Sequence, residues 1–329
     1  MTSGTPVLVT GATGFVGSHL VEALASRGAR IRALVRESSD VSLLRAHGAE
    51  LVVGSLVDRR SLERAVDGVE VVFHLAALTY ARSEEELARV NGAGTRALVD
   101  AVREAPARPR RFVYLSSLAA AGPSVDGRPV HAGESPRPLT AYGRTKLEGE
   151  RACLEAGAEI GAVALRAPAV YGPRDREMLR FFRYAARGIL PIPAGPERPV
   201  QLIHVRDLAE ALVRVAGGAV ATGVYHVAEP RIYTWTEVAD YFGRAVGRRV
   251  RPVRVPRTAV RAAAALSEWG AALRGRATIF NRDKARELLA PGWTCETESL
   301  RRDFGFETEI TLPDGLLQTA AWYRDNGWL

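Results

Sequence analysis

Cysteine is scarce: Cys153 and Cys295 are the only two in 329 residues. That excludes a disulfide framework and a cysteine-rich metal site, and it suits a reducing compartment. His74 has no second histidine, cysteine or acid at metal-ligand spacing, so it reads as a core or strand-end residue and no metal is expected. No apolar run approaches the ~18–20 residues of a membrane span. The nearest candidate, Thr258 to Leu273, is alanine-rich but carries Arg261 and Glu268. It reads as a helix packed on the body or on another subunit rather than on a membrane. The start, Met1 to Thr10, lacks a charged stretch followed by a long hydrophobic one, so no signal peptide is expected and a cytoplasmic location is. Internal repeats are absent, as are basic runs interleaved with stacking aromatics, so nucleic acid is not an expected partner.

What is present is an ordinary globular composition, 47% hydrophobic and 25% charged, with a net charge of +8. The excess reads as arginine spread along the chain, and an anionic small molecule is its simplest use. The length suits one large domain or two smaller ones sharing an interface.

Thr5 to Thr10 has the pattern of a short buried strand and runs into Gly11-Ala12-Thr13-Gly14-Phe15-Val16-Gly17, then a helical stretch from Ser18 to Arg27. Glycines between strand and helix permit a tight turn and close approach of the backbone to a pyrophosphate, and the helix N-terminus offers free N–H groups to the phosphates. Arg30 to Val35 is the expected second strand. Arg36 follows it at the position where an acid would hold the adenosine ribose of NAD. A guanidinium there suits the 2′-phosphate of NADP, although Glu37 stands beside it and NAD stays possible.

Further strands are expected at Leu51–Val53, Val69–His74, Arg111–Ser116, Ala162–Arg166 and Gln201–Val205. Between them lie helical stretches at Arg59–Val66 and Glu84–Glu104, the second a long helix containing Asn91. Strands alternating with helices imply a doubly wound parallel α/β sheet of Rossmann type, with ligands at the C-terminal strand edge. Gly122–Pro138 reads as a loop over that edge. Beyond Tyr171 the pattern changes to a helix at Glu177–Arg187, a proline-rich loop at Pro191–Pro199 and, from about Pro230, mainly short amphipathic helices. The expected division is a dinucleotide-binding domain, 1–172 plus about 200–228, interleaved with a smaller substrate domain, 173–199 plus about 229–329.

Tyr142 and Lys146 stand four apart in a run, Leu139 to Glu155, that reads as a helix, so they share a face. A nearby ammonium favours a phenolate, and such a tyrosine can exchange a proton with a substrate oxygen nearer neutral pH. Ser117 can hold the same oxygen. An ordinary amphipathic helix, with Tyr142 packed and Lys146 solvated, fits the spacing alone equally well.

Together these segments resemble the extended short-chain dehydrogenase/reductase family, which includes NAD-dependent epimerases and dehydratases, dihydroflavonol reductases and 3β-hydroxysteroid dehydrogenases. The resemblance rests on VTGATGFVG (Val9 to Gly17), HLAA (His74 to Ala77), VNGAGT (Val90 to Thr95), LSSLAAAG (Leu115 to Gly122), ESPRPLTAYGRTKLEGE (Glu134 to Glu150), LRAPAVYGP (Leu165 to Pro173) and IHVRDLAEA (Ile203 to Ala211). It implies hydride transfer with Tyr142 exchanging the proton, Ser117 polarising the substrate oxygen and Lys146 both holding the nicotinamide ribose and lowering the tyrosine's pKa. Cofactor contacts would come from Gly11, Thr13, Gly14, Phe15, Val16, Gly17, Arg36, Leu75, Ala76, Ala77, Tyr142, Lys146 and Pro168. A homodimer through the Glu84 and Tyr142 helices is also implied.

Departures from the family pattern narrow the chemistry. Leu118 and Ala119 replace the acids of the dehydratases. Val200 stands where sugar-nucleotide enzymes carry an arginine for the diphosphate, with Arg198 two residues earlier. Ser55 takes the place of an aspartate that contacts adenine in many relatives. The favoured expectation is an NAD(P)-dependent oxidoreductase acting on a small, partly apolar ketone or secondary alcohol. A sugar-nucleotide 4-epimerase with tightly held NAD and a non-catalytic dinucleotide sensor are the alternatives.

Overall fold

The computed structural model describes residues 3–219 and 222–329. Seven strands form one sheet: β1 (Pro6–Thr10), β2 (Arg30–Val35), β3 (Glu50–Val53), β4 (Val71–His74), β5 (Arg111–Ser117), β6 (Ala162–Ala167) and a last strand, Gly223–His226. Read across the sheet, the order is the Gly223–His226 strand, then β6, β5, β4, β1, β2 and β3. Every pairing in it is parallel. β4 and β6 are buried along their whole length, because helices cover both faces, which is why they read as unbroken apolar runs. One covering layer includes Leu20 and Leu24 of α1 (Phe15–Ala25) with Leu208 and Leu212. The opposite layer contains Leu62, Leu98, Val102 and Cys153.

The chain changes direction across the sheet between β1 and β4, where their C-terminal ends lie side by side with Thr10 opposite His74. Such a reversal opens a crevice at the strand ends. A further core, built from Phe182, Leu190, Tyr233, Phe242 and Tyr323, lies apart from the sheet layers.

Three expectations change. The stretch Glu84–Glu104 is not one regular α-helix: α-helical turns at Glu84–Leu87 and Gly94–Glu104 flank a π-helical segment, Ala88–Ala93. Asn91 sits in that segment and its side chain is claimed by two other parts of the chain, which is the usual setting of a π-bulge. The proline-rich loop begins as a strand, Ile189–Pro193, paired in parallel with Arg251–Val255. Pro191 and Pro193 are tolerated because this is a two-stranded ribbon, all edge, with no second neighbour requiring their missing N–H groups. The positive charge is not spread along the chain. Residues 248–276 hold eight arginines against Glu268, a net of +7 out of the chain's +8.

Candidate active site

The turn between β1 and α1 is shaped by two close approaches. Gly11 has φ +73°, and a Cβ there would lie 2.7 Å from the Ala76 backbone nitrogen. A Cβ on Gly17 would lie 2.0 Å from the Gly11 carbonyl oxygen. The turn is thus pressed against Leu75–Ala76 at the end of β4, and only glycine permits it. Gly14 N–H donates to Gly11 O at 3.0 Å. No side chain caps α1 at Gly14, so its first N–H groups are left to a ligand. Thr13 and Gly14 are exposed, and Phe15, Val16 and Leu75–Ala77 are partly so.

A hydrogen-bonded chain fixes this edge. Thr95 Oγ1–H donates to the Asn91 carbonyl at 2.6 Å, so it accepts from His74 Nε2 at 2.9 Å. His74 Nδ1 is then an acceptor, taking the Thr10 hydroxyl at 2.6 Å, and Thr10 Oγ1 in turn accepts from Ala76 N–H at 3.3 Å. Burial holds the His74 pKa down at about 3, with Lys146 adding to the effect. The ring is therefore a neutral structural bridge. Asn91 continues the tie: its amide exchanges hydrogen bonds of 2.8 and 2.9 Å with the Leu78 backbone and donates to Thr145 Oγ1 at 3.1 Å.

Thr145 belongs to the helix Ala141–Glu155, whose N-cap, Thr140, accepts from Gly143 N–H at 3.1 Å. Tyr142 and Lys146 project from it toward the end of β5. The Ser117 hydroxyl accepts from Ala119 N–H at 3.1 Å, capping the short helix Leu118–Ala121. It also faces the Tyr142 phenol, and its hydrogen bond opposes the larger effect of burial, which pushes that phenol's pKa up. Glu287 and Glu177 raise it further. Lys146 is not among the groups that shift the phenol. Its ammonium donates to the Leu115 carbonyl at 2.7 Å and lies 4.1 Å from the centre of the Tyr114 ring. Burial brings its own pKa down to about 7. The expected lowering of the phenol pKa by Lys146 therefore does not describe this arrangement: the ammonium points at the sheet and desolvation dominates.

Pairing in β5 alternates, so Ser116 faces away from Ser117. Ser116 donates to Glu150, which binds Arg166 through two hydrogen bonds of 2.9 and 2.7 Å. All three are buried. Arg36 extends from the end of β2, exposed, with no ion pair among the described residues. Pro168 follows β6, partly exposed, in the link to the strand Ala169–Tyr171.

Several residues near the phenol carried no recognisable motif. Ala141 N–H donates to Asp283 at 2.8 Å, and Lys284 bonds Glu287 at 3.1 Å. Asp283, Lys284 and Glu287 come from the helix Arg282–Leu288, far away in sequence, so only the fold brings them to Tyr142. Arg198 curls onto its own loop, donating to the carbonyls of Pro193, Pro196 and Ala194.

The sequence profile of the NAD dependent epimerase/dehydratase family matches residues 7–228. The chain is 38% identical over 326 residues to a ceramide reductase of Caulobacter vibrioides, covering 98% of this chain and 96% of that one. It is 30% identical to a 4-hydroxy-2-methyl-3-oxo-4-farnesyl-3,4-dihydroquinoline-1-oxide ketoreductase of Stigmatella aurantiaca, covering 94% and 93%. Among solved structures it is similar to MoeE5 in complex with UDP-glucose and NAD, with a TM-score of 0.78 at 27% identity over 98% and 99% of the two chains. The chain belongs to the NAD-dependent epimerase/dehydratase family and is an enzyme of the extended short-chain dehydrogenase/reductase type.

Proposed function

We propose that this enzyme is an NADP-dependent reductase interconverting a ketone and a secondary alcohol on a partly apolar molecule. The observation that carries the reading is the convergence of Ser117, Tyr142 and Lys146 at the strand edge beside the glycine turn. Gly11 and Gly17 leave no room for side chains, and the bare α1 N-terminus suits a pyrophosphate. The unpaired Arg36 suits an added 2′-phosphate, with NAD the coarser assignment. Thr13, Phe15, Val16, Ala77 and Pro168 would complete the contacts.

Bound there, the nicotinamide supplies or accepts the hydride. Tyr142 gives its phenolic proton to the carbonyl oxygen during reduction and recovers it during oxidation. Ser117 donates to the same oxygen and steadies the charge that develops on it. Lys146, with a pKa of about 7, carries a charge that can respond near neutrality, and in the family's manner holds the nicotinamide ribose.

Two features favour simple carbonyl chemistry over sugar-nucleotide chemistry. Leu118 and Ala119, buried, offer no acid to expel water. The guanidinium of Arg198 is already committed to three carbonyls of its own loop, and Val200 is buried. The names of the two reductase relatives, with ceramide and a farnesylated quinoline in them, support a substrate with a lipid-like tail.

Tyr142→Phe tests the reading. NADPH-dependent carbonyl reduction is expected to fall by roughly 10²–10⁴-fold while NADPH binding stays within a few-fold. A variant retaining near wild-type turnover overturns the assignment of the acid. NAD released in stoichiometric amount on denaturing the purified protein would instead favour the epimerase.

A further inference from the structure

Helix Arg257–Ala272 buries only Val260 and Ala264, and together with Leu289 and Ala285 these fasten it to the helix Arg282–Leu288. At 100° per residue, Leu266, Trp269 and Leu273 fall within a narrow arc opposite that buried face, and Ala262 falls within the same arc. All three large side chains are about two-thirds exposed, at 67%, 65% and 68%. They are three of the most exposed large apolar residues described in the molecule. A monomeric soluble protein rarely leaves such a stripe without a use.

The charge on the helix and at its end is mostly positive. Arg257 and Arg261 lie along one flank and Arg274 and Arg276 at its end, and none of them has an ion pair among the described residues. The segment 248–276, which contains the stripe, holds +7 of the chain's +8. The single acid of the segment, Glu268, lies on the same flank as Arg257 and Arg261 and faces Arg282 at 3.6 Å. An apolar strip of Leu and Trp rimmed by arginine is the pattern of a helix lying in the headgroup region of an anionic bilayer.

The helix that carries the stripe lies one helix away from the site. The helix it is packed against supplies Asp283 to the first turn of the Tyr142 helix and Glu287 to Thr140. We infer that the Arg257–Ala272 helix docks the enzyme on anionic membrane surfaces, through Leu266, Trp269 and Leu273, to reach a membrane-resident amphiphile as its substrate. The helix is packed on the body as expected, through Val260 and Ala264, and docking uses the face that this packing leaves exposed. The inference about substrate class rests on the proposed reductase, whereas the docking itself does not.

Flotation with phosphatidylcholine vesicles, with and without about a third phosphatidylglycerol, tests it. The protein is expected to float with the anionic vesicles at about 50 mM salt, and binding should weaken at about 500 mM. The L266S/W269S/L273S variant should lose binding by roughly tenfold or more, with melting temperature and turnover of a water-soluble carbonyl unchanged. Absence of vesicle binding, or equal binding by the variant, overturns docking. So does light scattering in which a dimer of the wild type becomes a monomer in the variant, since the stripe is then an interface between copies. Docking without any carbonyl reduction would leave the surface assignment standing and remove the reductase.

Discussion

Replacing Glu150 by leucine is expected to be among the most damaging single changes outside the proton-transfer groups. Glu150 and Arg166 are exposed by only 1% and 3%. The pair is bidentate, at 2.9 and 2.7 Å, and Ser116 donates to the same carboxylate. Removing the carboxylate strands a guanidinium in β6, where Nη1 already lacks a partner. The nearest helical neighbour one turn away is Lys146, also cationic. Breaking a buried pair in this way costs about 3–5 kcal/mol, because the remaining charge is desolvated without compensation. For a chain of this size that is a fall of roughly 4–7 °C in melting temperature. Glu150→Leu with Arg166→Met removes both charges and fills the space with apolar atoms, so the double variant should recover most of the loss, with a coupling of about 2–4 kcal/mol. Urea unfolding of wild type, both single variants and the double variant measures this. Additive losses, or a single-variant loss below about 1 kcal/mol, would refute the reasoning, since the pair would then not be acting as a desolvated unit. Glu150 also raises the Lys146 pKa, so in a folded Glu150→Leu variant the Lys146 ionisation should move downward from about 7.

Arg36→Ser should weaken NADPH relative to NADH by roughly 10–100-fold with no change in melting temperature, because the side chain is exposed and bonded to nothing that folding requires. An unchanged ratio of dissociation constants means the 2′-phosphate is read elsewhere. Acid should destabilise the fold in a defined window: the His74 pKa is about 3 in the folded chain against 6.5 for the unperturbed ring. The unfolded chain therefore binds the extra proton first, and stability is lost as pH drops below about 6.5, by about 2 kcal/mol at pH 5 from this residue alone. His74→Gln keeps an acceptor and a donor but cannot titrate, so its melting temperature should fall less steeply between about pH 7 and 5 than that of wild type. Equal slopes would show that the pKa of the ring is not lowered in the folded state.

The order of elements along the first half of the chain was legible because helix and strand periods are local. The stretch expected at Arg59–Val66 is the helix observed, and β2 has the bounds expected of it. The π-helical segment was not legible, since what holds Asn91 there is its bonding to Leu78 and Thr145 rather than anything in its neighbours. The Ile189–Pro193 strand was hidden by its prolines, which argue against a strand unless the partner ribbon is known. Asp283 and Glu287 were invisible for the same reason of distance. The Glu150–Arg166 pair did leave a signal: Arg166 is the one charged residue in the buried strand AVALRA, and a lone charge there requires a partner.

Ser116 and Ser117 show why adjacent residues of one motif divide between structure and chemistry. Strand parity sends Ser117 to the ligand edge and Ser116 to the buried carboxylate. The ion pair that Ser116 completes spans β6 and the Tyr142 helix, and the Asn91 and Thr145 contacts hold the same helix from its other side. Tyr142 is thus positioned between two buried polar anchors, while its own phenol faces Ser117 and feels the negative charges of Glu287 and Glu177. Rigid anchoring of the helix leaves the proton-transfer geometry to be set by the backbone. The adjustable surroundings of the phenol come from the helix Arg282–Leu288, against which the helix that carries the exposed stripe is packed. Contact of that stripe with a surface would therefore be felt one helix away from the reacting oxygen.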